Sequence, residues 1–102
     1  MYIITKCLYP TDIAKEVAQM YLKSLSKYPD NASVATPIVP ASVRSTLQGM
    51  TVMVIYEPKK GKLEEAYALV VNRMVMFHDI KGFESTHEIH YNLEEGLKVL
   101  GM

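Results

Sequence analysis

The run "GMTVMVIYEP" at 49–58 carries no charge before Glu57 and is rich in β-branched and other bulky apolar residues, so it reads as a strand. Side chains alternate along a strand. Met50, Val52, Val54 and Tyr56 therefore share one side, and Met53 and Ile55 the other. Both sides are apolar, so this strand belongs inside a sheet with cover on each face. "YIITKCLY" at 2–9, ended by Pro10, is a second strand of the same kind. Whatever fold the chain adopts must bury two strands on both faces.

The remaining chain supplies cover for one face. After Thr11, read as an N-cap with Asp12 favouring the positive helix end, the residues Ile13, Val17, Met20, Tyr21, Leu25 and Tyr28 recur at helical spacing. This helix must stop before Pro29. A second amphipathic helix is marked by Leu63, Ala66, Tyr67, Val70, Val71, Met74 and Phe77, with Glu64 and Glu65 in its first turn. "KKG" at 59–61 is a turn before it and "KG" at 81–82 ends it. "DNASVATPIVPAS" at 30–42 contains Pro37 and Pro40, which excludes a central strand and leaves an edge strand or an extended segment. "FESTHEIHY" at 83–91 is the last strand and carries charge, as an edge does. Asn92 with Glu95 forms a capping-box-like start for "LEEGLKVL", and Gly101 is placed to stop it. The order is βαββαβ plus a terminal helix. With right-handed crossovers it predicts a single α+β domain over 1–102, a ferredoxin-like antiparallel sheet with strands one and three central and both long helices on one face.

The whole chain has 102 residues, one domain's worth, with a formal net charge of +0. Eleven Lys and Arg residues against eleven Asp and Glu residues exclude a basic nucleic-acid footprint. No run approaches a membrane span, and "MYIITKCLYP" lacks the basic start and long apolar stretch of a signal peptide. Cys7 stands alone, so no intrachain disulfide is expected. Together these features predict a soluble, cytoplasmic protein.

If both helices cover one sheet face, the other is an apolar patch that calls for a partner. Leu69, Val75 and Met76 form a smaller second stripe on helix two, for which cover by the chain's own terminal helix is favoured over a helix–helix interface. The element order and three stretches, "GMTVMVIYEPKKGKLEEAYALV", "HDIKGFESTHEIH" and "YNLEEGLKVLG", resemble the dimeric α+β barrel superfamily. That superfamily includes antibiotic-biosynthesis-type monooxygenases, muconolactone-isomerase-like enzymes and stress-responsive barrels. Ligand-binding regulatory domains share its topology. The resemblance implies a ferredoxin-like fold and a homodimer or higher homo-oligomer. It transfers no reaction.

"STHEIHYN" at 85–92 raises the question of a site. His87 and His90 are three apart, so in a strand they point to opposite faces and cannot hold one metal. No metal or cofactor is expected. His87 falls with Phe83, Ser85, Ile89 and Tyr91, the side expected to meet the helices. His90 falls with Glu84, Thr86 and Glu88 on the open side. Lys6 shares a face with Tyr2, Ile4 and Leu8. A lysine under two helices would be an expensive unpaired charge, so Lys6 is assigned to the open face, within reach of Glu84 or Glu88. Two readings stand: a cross-strand ion pair of ordinary kind, or an acid/base cluster in which His90 and Glu88 are catalytic. Lys6, Glu84 and Arg44 are candidate ligand-binding residues, with Arg44 placed in the hairpin connection "PASVRSTLQG" as a possible anion holder. Cys7 is expected to be a small buried hydrophobe and His78 a residue favoured by the helix dipole. The expected function is binding of a small apolar or aromatic molecule between sheet faces, with acid/base or cofactor-free oxygenase-like chemistry as its possible reaction. The alternative is a non-catalytic regulatory or structural oligomeric module.

Overall fold

A computed structural model describes all residues, 1–102. Strand β1 spans Tyr2–Tyr9, a 3-10 turn Thr11–Ile13 leads into helix α1 at Ala14–Lys27, and strands β2 and β3 occupy Ala35–Thr46 and Gly49–Pro58. Helix α2 spans Leu63–Val75, strand β4 Glu84–His90 and helix α3 Leu93–Val99. The four strands form one antiparallel sheet in the order β2-β3-β1-β4. The two strands that are apolar on both faces, β1 and β3, are the central pair, and the proline-bearing and charged strands are the edges. No helix is long and apolar enough to cross a membrane.

Ile3, Thr5, Cys7 and Tyr9 of β1 are buried and Lys6 is exposed, so the odd-numbered residues lie under the helices. The core has two clusters. Ile3, Ala35, Tyr56, Ala66 and Val70 form one, and Tyr9, Val17, Phe77 and Ile80 the other. Phe83 and Phe77 stack at 4.7 Å between ring centroids and close the second cluster.

Four local expectations are refined. Thr11 does not cap α1 with its side chain. The chain instead enters through the 3-10 turn, where the Ile13 amide donates to the Pro10 carbonyl at 3.2 Å. Proline at φ −59° already has the dihedral this entry needs. Strand β2 runs further than expected and absorbs its prolines in two register shifts, between Pro37 and Val39 and between Val39 and Ser42. An extra residue at each shift lets an edge strand tolerate a missing donor. Ile89, assigned to the helix-facing side, is 49% exposed, because it lies on an edge strand. Finally, α3 buries no residue, and Leu93, Val99 and Leu100 are largely exposed, so it leaves its own apolar positions uncovered.

The end of α3 follows its sequence closely. Asn92 Oδ1 accepts from the Glu95 amide at 2.8 Å and Glu95 Oε1 from the Asn92 amide at 2.9 Å, a complete capping box. Gly101, at φ +77°, lets the Gly101 and Met102 amides turn back to the Lys98 and Leu97 carbonyls.

Candidate functional site

The strand register arranges the open face as cross-strand rows. Arg44, Thr51, Leu8 and Glu84 form the first, nearest the β2–β3 turn; Ser42, Met53, Lys6 and Thr86 form the second; Val39, Ile55, Ile4 and Glu88 form the third. The first two rows line a groove of about 650 Å³ that crosses all four strands. Its middle is apolar, from Leu8 and Met53. Its β2 side carries Arg44, its β4 side Glu84, and Lys6 lies between.

All three residues expected to bind ligand therefore line one groove. Arg44 reaches it by a different route from the one expected. It lies in β2, paired with Thr51, and not in the connection, which is only Leu47 and Gln48. The sequence placed it in a loop because the prolines at 37 and 40 hid the continuation of the strand. Arg44 is exposed, and its guanidinium forms no ion pair.

His90 and Glu88 stand beside the groove, not in it. Glu88 Oε1 accepts a hydrogen bond from His90 Nε2 at 2.8 Å, and Glu88 Oε2 lies 3.3 Å from Lys6 Nζ. The carboxylate thus bridges both side chains, and their hydrogen bonds, first His90 and then Lys6, hold its pKa below the usual carboxylate value. Lys6 selects Glu88, one position along the diagonal from its partner Thr86, over Glu84. All three groups are well exposed, with Lys6 at 55%, His90 at 47% and Glu88 at 38%, so solvent screens the pairs. Lys6 is the one residue that touches this cluster and also lines the groove.

His87 lies on the opposite face, as alternation requires. Thr5 Oγ1 and His87 Nδ1 are hydrogen-bonded at 2.9 Å, and Tyr67 of α2 meets the imidazole edge-on at 6.0 Å. Burial disfavours its charged form and lowers its pKa. The two histidines share no ligand position. Cys7 is buried on the helix side, where burial pushes its thiol up to about 11, too high for a thiolate nucleophile at neutral pH. His78 is exposed in the turns after α2.

One polar cluster escaped the sequence reading. Arg73 of α2 is 5% exposed. Its Nε and Nη2 donate to the Tyr28 carbonyl at 2.8 and 2.6 Å, Nη2 to Asp30 Oδ1 at 2.8 Å, and Nη1 to Tyr56 Oη at 2.8 Å. Tyr56 Oη donates to Asp30 at 2.6 Å. Burial would raise the Asp30 pKa, but hydrogen bonds from Tyr56 and Arg73 outweigh it and lower it; burial and Asp30 together push Tyr56 up to about 12. Every one of these groups is satisfied by the others, so the network clamps the end of α1 to α2 and β3. Ala66, Val70, Arg73 and Phe77 recur at spacings of four, three and four. That stripe was the available signal for a buried arginine.

Comparison with protein-family models, with curated proteins and with solved structures returned no match.

Proposed function

We propose that the chain is a small-molecule-binding protein, acting as a homodimer whose two open sheet faces meet across the groove. The observation that carries this reading is the groove itself: an apolar middle with Arg44 on its β2 side, Glu84 on its β4 side and Lys6 between them. Such a lining suits a small molecule with an apolar or aromatic body and an anionic group for the cations. The strand order and the placement of α1 and α2 on one face support a ferredoxin-like unit of the dimeric α+β barrel kind. Leu8, Met53, Ile4 and Ile55 are then the apolar surface that a second copy covers. Binding is favoured over catalysis, because the Glu88–His90 pair is exposed and stands outside the groove. The catalytic reading rests on Lys6, through which a bound molecule would contact that pair.

Size exclusion with light scattering at micromolar concentration is the test of assembly. A dimer is expected, reduced to monomer by Leu8→Glu; a monomeric wild type overturns the proposal. For the ligand, titration with 2-naphthoate, an aromatic ring with one carboxylate, is expected to give binding that Arg44→Ala weakens about tenfold, the worth of one charge-assisted hydrogen bond. Affinity unchanged by Arg44→Ala and Lys6→Ala would remove the groove from the account.

A further inference from the structure

A second space lies on the other side of the sheet. It occupies about 170 Å³ between α1, the end of α2 and the strands, and every residue that lines it is hydrophobic. Val17 and Tyr21 come from α1, Met74 from α2, Phe77 from the turn after it, and Val54 and Val43 from the sheet. Side chains of this size in a close-packed interior leave few voids larger than a water. This one has an identifiable cause. The register shifts in β2 around Val39 displace the strand relative to β3. Tyr21 Oη donates to the Pro40 carbonyl at 3.2 Å and props α1 against that displaced strand. The gap between them is not filled, because Ala18 and Ala41 are the side chains that face it from the two sides. Both alanines and Val43 are exposed, so the space opens to solvent along the β2 edge.

We propose that this pocket is a second binding site, for a small uncharged apolar molecule of about the size of benzene or toluene. The volume sets the size, since an apolar cavity of about 150 Å³ accepts benzene. The lining sets the chemistry. No charged side chain reaches the pocket, so an anion or cation would lose its hydration without compensation. The Tyr21 hydroxyl already donates to Pro40, and the Cys7 thiol is a weak partner. The site lies on the opposite face of the sheet from the groove: β1 and β3 present Val54 to it and Lys6, Leu8 and Met53 to the groove, while Cys7 and Val52 border both.

Toluene is the probe. In methyl-resolved NMR of the full chain, it is expected to shift the Val17, Val54 and Met74 methyl resonances saturably, leaving Ile4 and Ile55 on the open face unmoved. Ala41→Phe places a ring in the mouth and is expected to abolish those shifts while raising the melting temperature. Ala18→Leu fills the same space from the helix and provides the check if Ala41→Phe does not fold. Met53→Glu, on the open face, is expected to leave toluene binding intact. An absence of saturable shifts at Val17 and Val54 in the wild type overturns the proposal. So do shifts that persist in a folded filling variant.

Discussion

At the scale of single residues, Arg73 decides more than its position suggests. A side chain with four hydrogen bonds inside the fold cannot be shortened without leaving the Tyr28 carbonyl and Tyr56 hydroxyl short of partners. Arg73→Ala is expected to cost about 2–4 kcal/mol in urea unfolding, on the scale of a broken buried polar network. Arg73→Lys should recover little, since one ammonium cannot reproduce the fork that holds Tyr28, Asp30 and Tyr56 together. His87 sets a pH dependence. Its folded pKa lies below the ordinary 6.5, so the unfolded chain binds the proton more readily. Its contribution is complete above the unfolded value and is lost as pH falls through the folded one. The melting temperature should therefore begin to decline as pH falls below about 6.5, and His87→Gln should flatten that part of the curve. Glu88 and Glu95, lowered from 4.5 by hydrogen bonds, act in the same direction but at lower pH, so the two effects separate in one titration.

At the scale of elements, helix α3 has a complete cap and no buried residue. Its order therefore rests on its ends. Asn92→Ala is expected to remove about 1 kcal/mol from α3, read as faster amide exchange at Glu95 and Gly96, with the unfolding midpoint of the core unchanged. Hydrophobic alternation made the element order, the central pair and the faces of Lys6 and His90 legible beforehand. Those features follow from local spacing and from the cost of burying charge. What stayed hidden depended on tertiary context. Prolines at 37 and 40 obscured the length of β2, because register shifts that accommodate them are set by pairing with β3. The placement of Arg44 in a loop followed from that. The spacing of Arg73 matches the buried stripe, but its charge speaks against burial and its partners Tyr28 and Asp30 lie more than forty residues away in sequence. Which carboxylate Lys6 would choose was likewise beyond spacing alone.

At the scale of the whole molecule, the first row of the groove makes a prediction about assembly. Arg44 stands at its β2 end and Glu84 at its β4 end. A twofold axis parallel to the strands exchanges the two ends, so in the proposed dimer Arg44 of each copy faces Glu84 of the other. Arg44→Glu and Glu84→Arg are each expected to weaken the dimer in sedimentation at low salt. Combining the two in one chain should restore it, because every pair is then reversed and none is lost. If the double variant is as weak as the worse single one, the axis lies elsewhere.

The two edges of the sheet are not alike. Strand β4 is a regular seven-residue run, whereas β2 is broken by two prolines and two register shifts. Filament growth by strand addition needs two competent edges, one to receive and one to offer. This chain has one. Two copies could join β4 to β4, but each end of that pair would then be a β2 edge, and a third copy would find no regular ladder to extend. The prolines that made β2 hard to recognise thus act as a terminator, stopping open-ended polymerisation of the sheet, alongside the charges carried by β4.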